Sequence, residues 1–96
     1  MAHYVALLNY TEQGIRSVKD TVKREKAFRD LAKGVGIAVK DSFWTLGRYD
    51  VILTLEAPND EAVTTLMLKL ASLGNVKTQT LRAFSAAEMD AILAKV

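Results

Sequence analysis

Apolar and polar residues change their spacing repeatedly along the chain, and those changes mark its elements. Residues 3 to 9, HYVALLN, form a short apolar run bounded by the turn-prone TEQG, which predicts a buried central strand. From Val18 the period lengthens. Val18, Val22, Phe28, Leu31, Ala32 and Val35 recur at helical spacing, with Lys19, Lys23, Arg24, Lys26, Arg29 and Lys33 mainly on other sides, so an amphipathic helix is expected. Its cap is Ser17 with Asp20, or Asp20 with Thr21. Gly34 and Gly36 end it, because glycine tolerates the left-handed backbone that terminates a helix. Residues 37 to 46 and 49 to 56 read as two strands of a hairpin. The sequence APNDE, residues 57 to 61, stops the second strand and starts a helix to about Leu73, whose apolar stripe is Val63, Leu66, Met67, Leu70 and Ala71. Gly74-Asn75 closes that helix, and residues 76 to 84 are a last strand. Ser85 and Glu88 have capping-box spacing and open a C-terminal helix carrying Met89, Ile92, Leu93 and Val96.

The order β-α-β-β-α-β-α makes an α+β domain spanning residues 1 to 96, ferredoxin-like in its first six elements, with an added C-terminal helix. Right-handed crossovers give the strand order 4-1-3-2. Helices cover one face of such a sheet and leave the other open. The strands carry apolar residues on both alternations, so something must cover the second face.

If Gly47-Arg48 form a two-residue turn of type II′, Leu46 pairs with Tyr49, Thr45 with Asp50, Trp44 with Val51, Phe43 with Ile52 and Asp41 with Thr54. Trp44, Val51, Leu53 and Leu55 then share the more apolar, helix-packed face, and Phe43, Asp50, Ile52 and Thr54 the open one. The topology also sorts the loops. Asn9, Thr11 and Gln13 fall beside Arg48, Tyr49 and Asp50, with Asn75 and Thr78 nearby, whereas His3, Glu56 and Arg82 belong to the opposite end.

The segments YVALLNYTEQGIRSVKD, LGRYDVILTLEAPNDE and SLGNVKTQTLRAF resemble those of the GYD domain family, named for a Gly-Tyr-Asp signature that stands here with an inserted arginine as Gly47-Arg48-Tyr49-Asp50. The likeness covers roughly residues 3 to 85. The family has no assigned reaction. The resemblance implies the dimeric α/β barrel architecture, in which two ferredoxin-like subunits pack their open sheet faces together, and so agrees with the need for a cover.

Composition narrows the chemistry. The hydrophobic share of 50% is high for 96 residues, which favours burial in a homodimer or higher homo-oligomer. The absence of cysteine excludes disulfides, thiolate nucleophiles and iron–sulfur clusters, and suits the cytoplasm. No apolar run approaches the length of a membrane span, and the N-terminus lacks the pattern of a signal peptide. Residues 1 to 48 hold nine Lys/Arg against five Asp/Glu, an excess that reads as the solvated face of the first helix. His3 is the only histidine, so neither a metal set nor a Ser/His/Asp triad converges, and no cofactor is called for. RNA recognition needs several aromatics along the third strand, where only Tyr49 stands, and neither nucleic acid nor membrane is expected as a partner. Trp44 and Phe28 read as core, and Arg82 as the ion-pair partner of Asp41 or Glu56.

Three functions remain open. The favoured one is small-molecule binding in an intersubunit cavity, contacted by Asn9, Thr11, Gln13, Arg48, Tyr49 and Asp50. A second is a cofactor-independent oxygenase or isomerase using Asp50 and Tyr49. The third is a structural or regulatory oligomerisation module without a ligand, in which the same residues fix the hairpin.

Overall fold

The computed structural model describes residues 1–96 and arranges them around a four-stranded antiparallel sheet. Strand β1 (Ala2–Tyr10) alternates as a half-buried strand must. Tyr4, Ala6 and Leu8 are buried, while Val5, Leu7 and Asn9 on the other face are only half-buried. The helical layer begins earlier than the charge pattern suggests. TEQG is not a plain turn but the start of a short helix α1 (Glu12–Arg16), capped by Thr11, whose hydroxyl accepts from the Gly14 N–H. A 3-10 turn (Val18–Asp20) leads into α2 (Thr21–Gly34). Of the stripe read along that helix, Phe28 and Ala32 are buried, whereas Val18, Val22, Leu31 and Val35 remain exposed.

Strands β2 (Ala38–Trp44) and β3 (Val51–Ala57) form the hairpin. Trp44 pairs with Val51, Phe43 with Ile52 and Asp41 with Thr54, as the alternation requires. The connecting loop is longer than a two-residue turn. The regular ladder stops at Trp44 and Val51, and beyond it Thr45 N–H donates to the Asp50 carbonyl at 2.9 Å while Thr45 Oγ1 donates to the Tyr49 carbonyl at 2.5 Å. Gly47, with φ of 100°, supplies the left-handed residue the loop needs. A register shift between Val39 and Asp41 displaces Lys40 and keeps Ser42 and Trp44 on the face that carries Leu53 and Val51.

Helix α3 (Asp60–Ser72) is capped by the Asn59 side chain, which accepts from Ala62 N–H, and it buries Val63, Leu66 and Met67. Strand β4 (Val76–Ala83) pairs with β1 and completes the order β2-β3-β1-β4. The fold is therefore the ferredoxin-like α+β arrangement expected. Its thirteen buried hydrophobic residues form one cluster between the sheet and the helices. Helix α4 (Ala86–Leu93) opens with the full capping box of Ser85 and Glu88, yet none of its residues is buried and Met89, Ile92 and Leu93 are exposed. No helix is long and apolar enough to cross a membrane.

Candidate functional site

At one end of the sheet, β1 and β2 finish and β3 and β4 begin. Asn9, Thr11, Gln13, Arg48, Tyr49 and Asp50 all stand there and, the Arg48 guanidinium apart, their side-chain polar groups are tied into the fold. Asp50 Oδ2 accepts from the Tyr10 backbone N–H at 2.9 Å and more weakly from Asn9 Nδ2 at 3.5 Å, while Asp50 N–H donates to the Leu8 carbonyl at 2.9 Å. Asn9 Nδ2 also donates to the Arg48 carbonyl at 2.7 Å. Thr11 Oγ1 donates to the Gly74 carbonyl at 2.5 Å, and Gln13 Nε2 to the Leu73 carbonyl and to Asn75 Oδ1, both at 3.0 Å. The Tyr49 hydroxyl reaches Gln79 Oε1 at 3.3 Å, across the open face. Three loops that are distant in sequence are thus joined at one end.

Above this end, on the helix side of the sheet, lies a cleft of about 250 Å³. Its walls come from α2, from the C-terminal end of α3 and from the sheet, with Phe28, Leu31, Trp44, Leu53 and Leu70 among the apolar groups. Trp44 corrects the sequence reading. It keeps to the helix side but is not core: 43% of it is exposed, and its indole N–H donates to Thr21 Oγ1 at 2.9 Å. Thr21 Oγ1 in turn lies 3.0 Å from the Tyr10 hydroxyl. Arg24, also on the cleft, donates to the Ser17 carbonyl and hydroxyl and to the Gly14 carbonyl. Its neighbour Glu25 pairs with Arg29 and accepts from Ser42 Oγ.

Residue spacing does not single out Tyr10, Thr21, Arg24 and Trp44 as a group. The signal available is the pairing of Trp44 with Val51, which puts the indole on the helix face. Thr21 and Tyr10 reach it only because α1 and the 3-10 turn reverse the chain between them.

The opposite end holds His3, Glu56 and Arg82. His3 lies 3.6 Å from both Glu56 and Glu88, and Glu56 also meets Lys40 at 3.8 Å. Arg82 pairs with Glu88 at 3.4 Å, and neither Asp41 nor Glu56 is its partner, because Arg82 projects on the helix side while those two alternate onto the open face. Asp41 instead accepts from Thr54 Oγ1. The Ser85 backbone N–H, with lesser help from the Ser85 hydroxyl and Arg82, holds the Glu88 carboxyl below its ordinary value. Tyr4 donates to Asp60, and that bond, followed by burial, raises its phenol above the ordinary value. No three His, Cys, Asp or Glu side chains gather as a metal site.

A family model described as GYD domain matches residues 4–93. A Thermus thermophilus protein named glutamine synthetase and cystathionine beta-lyase binding protein is 33% identical over 94 residues, covering 97% of this chain and 99% of that relative. The crystal structure of TTHA0845, also from Thermus thermophilus, superposes with a TM-score of 0.58 at 20% identity, covering 90% of this chain and 96% of that one. At3g17210 from Arabidopsis thaliana superposes at 0.51 with 15% identity over the same shares, and these two likenesses bear on the fold alone.

Proposed function

The chain belongs to the GYD domain family, and on that premise we propose that it is a self-associating protein-interaction module. Two copies cover each other's open sheet faces, and the assembled unit docks on a metabolic enzyme. The observation that carries the reading is the open face itself. Val5, Leu7 and Ile52 form its half-buried centre, and Phe43 and Leu81 flank them with 58% and 42% of their surface exposed. A contiguous apolar surface of this kind marks an interface. Exposed Met89, Ile92 and Leu93 on α4 add a second apolar surface for the assembly. Docking on an enzyme is supported by the Thermus relative, whose name makes it a binding protein for two of them.

A small molecule held between the two faces is a second reading, favoured by the Tyr49 hydroxyl and Gln79 on the open side. Catalysis by Asp50 and Tyr49, as in an oxygenase or isomerase, has less support, because their polar atoms already hold Tyr10 and Gln79. The test is direct mixing. The purified chain is run on size exclusion with glutamine synthetase and with cystathionine beta-lyase from its own organism. Co-elution with either supports docking; separate elution from both at micromolar concentration removes docking while leaving self-association to be judged independently.

A further inference from the structure

We propose that the helix-side cleft is a binding site for a small aromatic carboxylate. A cleft of about 250 Å³ has room for on the order of ten non-hydrogen atoms, since an apolar cavity of roughly 150 Å³ already holds benzene. Its apolar lining and the rings of Phe28, Tyr10 and Trp44 suit a flat hydrocarbon body.

Two polar features orient such a ligand. The first is a count of hydrogens. Trp44 N–H, Thr21 O–H and Tyr10 O–H each carry one, and only two hydrogen bonds join the three groups. Whichever hydroxyl donates between Thr21 and Tyr10, one hydroxyl hydrogen is left over for an acceptor in the cleft. The second feature is charge. Every acceptor of Arg24 is neutral, a carbonyl or a hydroxyl, and no carboxylate lies within ion-pair distance of it. Glu25 beside it is already balanced by Arg29. The cleft thus offers one uncompensated cation and one free hydroxyl donor beside an aromatic wall, the complement of a carboxylate on a ring. This site lies on the other side of the sheet from the face assigned to self-association, so monomer and dimer alike can test it.

Trp44 is the chain's one tryptophan and reports on its own wall. The intact protein is titrated with 3-phenylpropanoate and, separately, with 3-phenylpropan-1-ol, following Trp44 emission and the indole N–H resonance. The acid is expected to saturate both signals at or below millimolar concentration, and to bind roughly tenfold more tightly than the alcohol. Arg24→Met should erase that preference, and Ala27→Phe, which fills the cleft from α2, should abolish saturation with the helical circular dichroism retained. Equal binding of acid and alcohol to the unsubstituted chain overturns the carboxylate assignment. No saturable change with either compound overturns the site.

Discussion

The carboxylate of Asp50 accepts the backbone N–H of Tyr10 at 2.9 Å, while the Tyr10 side chain lines the cleft on the helix side. The last residue of the Gly-Arg-Tyr-Asp signature therefore holds the end of β1, and through it one wall of the cleft. Asp50→Ala leaves that N–H without its charged acceptor and is expected to cost about 1.5 to 3 kcal/mol in urea unfolding. Tyr49→Phe removes only a 3.3 Å exposed contact and should cost less than about 0.5 kcal/mol. The reverse order would remove the anchoring role of Asp50.

Gly14 meets the backbone of the loop before β4 with no room for a side chain. A Cβ there would stand 1.9 Å from the Asn75 carbonyl oxygen, the same oxygen that accepts Thr11 N–H. Backbone on both sides cannot yield without losing that bond. Gly14→Ala should therefore cost roughly 3 kcal/mol or more and lower the melting temperature by well over about 10 °C. A melting temperature unchanged by the substitution would contradict this packing.

Helix α4 is held at its start by Ser85 and Glu88, and nothing on this chain buries its apolar residues. Because the folded state lowers the Glu88 pKa, its contribution is complete above the unfolded glutamate value of about 4.3 and is lost as pH falls through the folded value. The helix should fray selectively on acidification below roughly pH 4.3. Glu88→Ala, which removes the acceptor of the Ser85 N–H, should cause the same fraying at neutral pH. Amide exchange across residues 86 to 93 measures both, and protection unaffected by acid or by the substitution would refute the capping account.

Much of this fold is legible from residue spacing. The hairpin register matches the pairs set by centring the turn on Gly47-Arg48, and alternation supports it, because shifting β3 by one residue would expose Val51, Leu53 and Leu55 together. The loop between the two strands is longer than spacing suggests, since Leu46 and Tyr49 look like strand residues although backbone bonds from Thr45 and Asp50 bend the chain away first. TEQG looks like a turn because glycine is a poor helix former. Its helical start depends on Asn75, far away along the chain, and no local pattern announces that contact. The gathering of Asn9, Thr11, Gln13, Arg48, Tyr49 and Asp50 at one end follows from topology. That Asn9 bonds to Asp50 while Thr11 and Gln13 tie to the loop before β4, and that the cleft lies on the helix side of the sheet, depends on side-chain directions that spacing does not encode.

Self-association through the open face is the claim on which the functional reading rests, and sedimentation velocity tests it most directly. Phe43 and Leu81 lie on outer strands of that face and are already exposed, so Phe43→Glu with Leu81→Glu should leave the subunit folded. At micromolar concentration the unsubstituted chain is predicted to sediment as a dimer or larger, and the doubly substituted chain as a monomer of 10.6 kDa. A folded monomer for the unsubstituted chain, or an unchanged oligomer after both substitutions, would contradict the account.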